Sequence, residues 1–162
     1  MSNPIIKFYS GYRPENNEYP YTFSSIINAT DNDLEFTHDF IQWLFPLSEP
    51  SEFNKNAPLL TTEDIDTFIN TRNLQTRVKV AVRRFLNFLG LTETKLGYIE
   101  LYDVRYYNDR ILFRGHNHLR ISRMLKFLML IEMVELANNI RNVLPPNKFW
   151  DEAVNKDLAY NG

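Results

Sequence analysis

The chain contains 162 residues, of which 44% are hydrophobic and 23% are charged. This length and balance predict one folded domain and exclude a largely disordered chain. The absence of cysteine excludes a disulfide framework, a thiolate zinc site and a cysteine nucleophile. No apolar run reaches the roughly 20 residues of a membrane span, and the first residues do not resemble a secretory signal. We therefore expect a soluble, cytoplasmic protein without a transmembrane segment.

The net charge of −2 conceals a strong segregation of charge along the chain. Residues 1–66 carry −8, residues 67–131 carry +8 and residues 132–162 carry −2. Two interpretations follow. The basic middle of the chain could present a face to nucleic acid, or the acidic and basic parts could neutralise each other within one domain.

Residues 1–30 are rich in Pro, Tyr and Asn and show no sustained period. We predict an extended arm that its aromatic side chains anchor to the domain, with a short helix near Thr22–Asn28. Residues 31–162 form the predicted helical domain.

The next segment predicts one buried helix over Leu34–Phe45, because its apolar residues occupy nearly every side of a helical wheel. Asp31 or Asp33 can cap the start of this helix, and Pro46 ends it. The three prolines of Pro46–Leu60 predict an ordered loop.

Two helix signals follow the loop. Thr61 and Asp64 have the spacing of a capping box and predict a helix that ends at Asn70. Apolar residues at helical spacing over Leu74–Leu89 predict a longer helix, for which Gly90 is a natural terminator.

The remaining segments complete a mainly α, helical bundle-like fold. Thr92–Gly115 favours a short helix followed by a turn at Asn108–Asp109, with a β-hairpin as the alternative. Asn117 is expected to cap a long helix over Leu119–Asn142, and Phe149–Leu158 predicts a last short helix.

Three blocks resemble the conserved domain of the opioid growth factor receptor family. The sharpest is HDFIQWLFPL, His38–Leu47, in which Phe40 stands where the family has tyrosine. The resemblance covers residues 8–140 and is also carried by Glu49-Pro50-Ser51, Asn54, Ala57-Pro58, RFLNFLGL at Arg84–Leu91 and HNHLRISRML at His116–Leu125.

This resemblance implies a fold and a motif rather than a ligand. Vertebrate members of the family are receptors for the pentapeptide Met-enkephalin and carry long C-terminal extensions. The domain also occurs in bacteria, where no opioid exists, and this chain resembles a short, single-domain member of that type.

The polar residues of the family blocks are the candidate ligand-binding residues. The first block contributes His38, Asp39, Gln42 and Trp43. The block HNHLRISRML contributes His116, Asn117, His118, Arg120 and Arg123. The alternative is architectural, because buried polar side chains must be hydrogen-bonded whether or not they touch a ligand.

A phosphate or nucleic-acid site is the alternative function. Arg120 and Arg123 are three residues apart near a predicted helix start, where guanidinium and backbone N–H groups can hold an anion. The competing interpretation pairs these two arginines with acids such as Asp39 or Glu49. The full basic set is Arg83, Arg84, Arg114, Arg120, Arg123 and Lys126.

The chain offers no recognised catalytic or metal-binding motif. The histidines His38, His116 and His118 lack a metal-ligand spacing, and no cofactor is expected. Nucleophile-elbow, P-loop and dinucleotide-binding signatures do not occur, which leaves an enzyme the least supported function. The tyrosines outside the periodic helices suit an interface. A non-catalytic module that binds a peptide or protein is therefore the preferred prediction.

Overall fold

The structure, a computed structural model, describes residues 4–12, 21–51, 54–113 and 115–155, and for His116 the backbone alone. These residues are mainly α-helical, as predicted, with one small antiparallel sheet. The chain divides into two compact units, Met1–Ala81 and Val82–Gly162. The boundary falls inside a continuous helix, and the extent of the predicted domain, 31–162, stays a prediction.

The first unit is built from short helices and most of one long helix. They are α1 (Pro4–Tyr9), α2 (Phe23–Ile27), α3 (Asp31–Phe36), α4 (Ile41–Leu44), α5 (Thr62–Asn70) and α6 (Arg72–Phe88), which continues into the second unit.

The prediction of an extended arm is wrong over α1, because these residues are helical. Pro4 is its first residue, a position where the missing N–H removes no helical hydrogen bond. Phe8 and Tyr9 are buried, and the Tyr9 ring contacts Phe23 and Phe68 at centroid distances of 5.3 and 5.2 Å. The aromatic anchoring is thus confirmed at Tyr9, and the predicted short helix near Thr22 is α2.

The single helix predicted over Leu34–Phe45 is also wrong, because it is interrupted between α3 and α4. Thr30 rather than an aspartate caps α3, and Asp33 completes the capping box as its third residue. At Thr37 the backbone leaves the helix for an extended conformation, with φ −99° and ψ 124°. The part that follows the break is buried, whereas Phe36 before it is 66% exposed.

The helices after the loop agree with the sequence patterns. Thr61 and Asp64 form the predicted capping box at the start of α5. The helix α6 ends at Phe88, and Gly90 follows it with φ +86°, a left-handed conformation that suits glycine.

After the end of α6, the second unit contains the β-hairpin that was the alternative prediction for Thr92–Gly115. Strands β1 (Leu91–Glu93) and β2 (Ile99–Leu101) pair antiparallel, with Thr92 opposite Glu100. A short helix follows, as in the preferred prediction, but the turn expected at Asn108–Asp109 is instead the start of a π-helix. The remaining elements are α7 (Val104–Tyr107), the π-helix (Asn108–Phe113), α8 (His116–Leu130), α9 (Val134–Asn142) and α10 (Lys148–Ala153).

One helix predicted over Leu119–Asn142 is in fact two, α8 and α9. The break is a Schellman motif, in which Met133 N–H donates to the carbonyl of Leu128 at 2.9 Å and Glu132 N–H donates to that of Met129 at 3.2 Å. Glu132 takes the left-handed position with φ +64°. A glutamate here gives no glycine signal in the sequence, so the pattern did not indicate the break.

The ends of the last helices also differ from the prediction. Gly115 occupies the cap position of α8, and Asn117 lies inside the first turn. The helix predicted over Phe149–Leu158 starts at Lys148 and ends at Ala153. Residues 156–158 lie outside the described part of the chain.

Candidate functional site

The interruption between α3 and α4 divides the HDFIQWLFPL block into an exposed part and a buried part. His38 and Asp39 lie in the interruption and are exposed. Gln42 and Trp43 lie in α4, and each is only 7% exposed. The four predicted ligand residues therefore do not share one accessible surface.

The buried part of the block is part of the core of the first unit. The Trp43 ring lies 5.7 Å from the Phe8 ring, centroid to centroid. Gln42 places its Oε1 atom in the interior, where no described residue donates a hydrogen bond to it. These contacts favour an architectural role for Trp43.

A cleft of about 310 Å³ opens beside the exposed part of the block. We call it the α2–α3 cleft, because residues of α2, of α3 and of the segments next to them line it. Half of the lining is apolar and half carries hydroxyl or carboxylate groups. The lining residues are Tyr21, Ser25, Ile26, Ala29, Asp33, Leu34, Thr37 and Phe40.

Tyr21 connects the cleft to the family block, because its hydroxyl donates a hydrogen bond to Asp39 Oδ1. Burial raises the pKa of the Tyr21 phenol well above its ordinary value, and the hydrogen bond and negative charge of Asp39 raise it further. Tyr21 thus stays neutral at physiological pH and holds one oxygen of Asp39 at the rim of the cleft.

Most of the cleft residues escaped the sequence analysis. The prediction placed Tyr21 in an arm and Leu34 in a buried helix, and it did not connect the two. The local signal was the Thr22–Ser25 capping box, which starts α2 and was not recognised as such. No local pattern brings α2 against the start of the HDFIQWLFPL block, since that contact depends on tertiary packing.

The second predicted group lies in the first turns of α8, within the second unit. Asn117 is completely buried, and its Oδ1 accepts a hydrogen bond from Arg120 Nη1 at 3.4 Å. Arg120 is only 4% exposed and Arg123 is half-buried. The side chain of His116 lies outside the described part of the structure.

His118 links three elements of the second unit. Its Nε2 lies 2.5 Å from the Ile111 carbonyl of the π-helix, so that nitrogen carries the hydrogen and donates it. Its backbone carbonyl accepts a hydrogen bond from Trp150 Nε1 at 3.1 Å, and the two rings meet edge to face at 5.1 Å. These contacts give His118 a packing role.

The residues proposed for phosphate binding differ in accessibility. Arg83 is exposed and pairs with Glu93 at 3.2 Å, Arg84 is half-buried and Lys126 is exposed. Arg114 lies outside the described residues. Arg110, which was not in the predicted set, lies over the rings of Phe88 and Tyr106 at 4.4 and 4.1 Å.

In the parts of the chain that the structure describes, no three His, Asp or Glu side chains come together in a way that could hold a metal ion. Nor does any described helix combine the length and the apolar composition that crossing a bilayer requires.

Comparison with known proteins identifies relatives along most of the chain. Residues 3–144 match the opioid growth factor receptor (OGFr) conserved region. The human opioid growth factor receptor is 39% identical over 109 residues, which is 62% of this chain and 16% of that protein. The rat opioid growth factor receptor-like protein 1 is 33% identical over 132 residues, 76% of this chain and 27% of that protein.

A frog relative from Xenopus tropicalis, named opioid growth factor receptor-like protein 1, is 38% identical over 112 residues, 64% of this chain and 21% of that protein. The chain thus spans between a sixth and about a quarter of the length of the curated relatives described here. No solved structure matches it. Since the conserved region extends over most of its residues, the chain belongs to the opioid growth factor receptor conserved-region family.

Proposed function

We propose that this domain is a non-catalytic module that binds a peptide or a segment of a partner protein in the α2–α3 cleft. The observation that carries the proposal is the cleft itself, which adjoins the family block and combines apolar walls with hydroxyl and carboxylate groups. Ligand sites commonly have this composition, because apolar contacts supply affinity and a few polar groups fix the orientation.

The size of the cleft limits what it can hold. Its volume of about 310 Å³ lies at the lower end of the roughly 300–1,000 Å³ of small-molecule sites. We infer that it accepts one large apolar side chain as an anchor, while the rest of the ligand lies along the residues that line the rim of the cleft. The matched human protein is named as a receptor, and we extend to this chain only the binding of a ligand.

Nucleic-acid or phosphate binding finds less support from the described residues. Arg120 is almost entirely buried, and the Arg83 guanidinium already faces the Glu93 carboxylate. Phosphate contacts require cations that reach the surface. Among the described members of the predicted set, Arg83 and Lys126 meet that requirement, and two exposed cations, one of them already paired, make a weak polyanion site.

A peptide array tests the proposal with a variant that fills the cleft. Fluorescently labelled protein would be applied to arrayed random peptides, and captured peptides would be measured again by calorimetry in solution. Ala29→Leu adds an isopropyl group at the cleft wall, so we expect it to weaken binding of captured peptides at least about tenfold.

Asn32→Leu is the matched control, because it adds a leucine to an exposed position of α3 that does not line the cleft. This variant should bind the peptides as the original chain does, and urea unfolding would establish that both variants are folded. Capture of no peptide, or equal binding by Ala29→Leu and the original protein, would refute the proposal.

A further inference from the structure

The sequence around the α2–α3 cleft contains acids but no lysine or arginine. From residue 14 to residue 54 neither cation occurs, while eight aspartate and glutamate residues do. Two of those carboxylates, Asp33 and Asp39, are exposed at the cleft or beside it. None of the described residues that line the cleft is a cation.

In each of these two carboxylates, one oxygen accepts a local hydrogen bond and the other can accept one from a ligand. Asp33 Oδ2 accepts the Thr30 N–H at 3.4 Å within the capping box, and Asp39 Oδ1 accepts the Tyr21 hydroxyl. The second oxygen of each accepts no hydrogen bond from the described residues. The local contacts thus hold the Asp33 carboxylate in the cleft lining and the Asp39 carboxylate next to Tyr21.

We infer that the occupant of the cleft is a basic peptide segment, in which an apolar side chain is flanked by lysine or arginine. The apolar side chain would pack against Ile26, Leu34 and Phe40, and the flanking cations would face Asp33 and Asp39. This inference rests on the proposed function, and it adds the chemical class of the ligand.

Charge complementarity selects this occupant over neutral and acidic segments. A cation near an exposed carboxylate gains a modest attraction, about 1.4- to fivefold in affinity for each pair. An acidic segment would instead meet repulsion from both aspartates. The attraction is screened by salt, so the preference should shrink as the ionic strength rises.

Calorimetry with three synthetic peptides tests the inference on the full chain. The peptides share one central phenylalanine and differ only in flanking residues, which are lysine, serine or glutamate. We expect the affinity order lysine, serine, glutamate, with a smaller spread at about 300 mM NaCl than at about 50 mM. Asp33→Asn and Asp39→Asn should each weaken the lysine peptide about 1.4- to fivefold and narrow its affinity difference from the serine peptide by the same factor.

Asp66→Asn is the matched control, since it removes an exposed carboxylate from α5, which contributes nothing to the cleft lining. Equal affinity for all three peptides would overturn the inference while the proposed function stands, and binding of none would refute both. The inference also fails if a lysine peptide without phenylalanine binds as tightly, or if ultracentrifugation shows that Ala29→Leu disrupts self-association through the cleft.

Discussion

Tyr9 is completely buried in the first unit, yet its hydroxyl has a hydrogen-bond partner. The hydroxyl donates to the backbone carbonyl of Leu44, the last residue of α4. Its ring lies 5.4 Å from that of Phe8. Tyr9 thus connects α1 to α4, the helix in the middle of the HDFIQWLFPL block.

Removal of this hydroxyl should destabilise the protein without emptying the core. Tyr9→Phe retains the ring but leaves the Leu44 carbonyl without its donor, so we expect a loss of about 1–2 kcal/mol in the free energy of unfolding by urea. Tyr12→Phe is the control, because Tyr12 is 46% exposed and the change should cost under about 0.5 kcal/mol. Equal stability of the two variants would contradict the role assigned to the hydrogen bond.

Residue chemistry predicted some of these side chains and not others. The aromatic excess of the first thirty residues predicted anchoring to a core, and Tyr9 confirms it. The partner of each side chain could not be predicted, because Tyr21 and Asp39 are eighteen residues apart and meet only through packing. The cap assigned to Asn117 was wrong for a related reason, since the asparagine is buried inside the first turn of α8.

The helix α6 requires glycine at its end for two separate reasons. Gly90 has φ +86°, and a Cβ atom built there would lie 2.3 Å from the Asp103 carbonyl oxygen and 2.8 Å from the Tyr107 nitrogen. Gly97, at the turn of the hairpin, has φ +89° but no atom within 4 Å of such a Cβ. A side chain at Gly97 would therefore meet backbone strain alone, whereas a side chain at Gly90 would meet both backbone strain and steric overlap.

Alanine substitutions at Gly97 and Gly90 measure the free-energy costs of the backbone strain and of the steric overlap. Gly97→Ala should cost about 1–2 kcal/mol from the left-handed conformation alone. Gly90→Ala should cost about 1–3 kcal/mol more, because the backbone around Asp103 must move. Urea unfolding of the two variants checks the difference, and equal losses would show that the close approach at Gly90 is relieved without cost.

The break between α8 and α9 predicts a stabilising substitution. Glu132 adopts φ +64°, a conformation that costs a residue with a side chain about 1–2 kcal/mol. Glu132→Gly should therefore raise the free energy of unfolding by about 0.5–1 kcal/mol.

The same substitution within α9 should have the opposite sign. Glu135 lies in the first turn of that helix and is exposed, so Glu135→Gly should lower stability by about 0.5–1 kcal/mol. If Glu132→Gly also destabilised the protein, the glutamate side chain would have a stabilising contact that outweighs the backbone strain.

Capping residues and apolar periodicity predicted the helices whose bounds depend only on nearby residues. The Thr61–Asp64 capping box started α5, and the apolar period predicted α6. The two long helices that proved to be interrupted have no proline or glycine at the interruption. Periodicity continues across a Schellman turn at Glu132, so the pattern does not distinguish one helix from two.

At the scale of the whole molecule, alkaline pH should destabilise the chain. Burial raises the pKa of Tyr9, Tyr21 and Tyr107 above the ordinary value near 10, and for Tyr21 Asp39 adds to the shift. Above about pH 10 the unfolded chain loses these protons first. The folded state then binds more protons, and its stability falls as the pH rises.

Urea unfolding at pH values of about 8, 10 and 11 checks this dependence. The contribution of these tyrosines is fully present at pH 8 and is lost progressively above pH 10. Tyr9→Phe removes one of the three ionisable groups. Between pH 10 and 11 the variant should therefore lose about 1 kcal/mol less unfolding free energy than the original protein. The same slope in both proteins would contradict the burial of an ionisable Tyr9 hydroxyl.

The segregated charge gains a more specific interpretation from the cleft. Residues 1–66 carry −8, and the cleft lies in a stretch without lysine or arginine. The pairing of Arg120 and Arg123 with acids from the distant acidic segment, such as Asp39, stays a prediction. The described partner of Asp39 is Tyr21. The acidic segment therefore supports a basic ligand as well as internal neutralisation.

The sequence alone determined the family, the mainly helical fold class, the capped start of α5 and the absence of cysteine chemistry. These properties depend on residues that are close in the chain or on motifs that occur as contiguous blocks. Only the tertiary structure decided that α3 and α4 are separate, that Gln42, Trp43, Asn117 and Arg120 are buried, and that Tyr21 meets Asp39 beside a cleft. Burial and contact depend on which distant segments pack together, and helical period and capping residues carry no information about that.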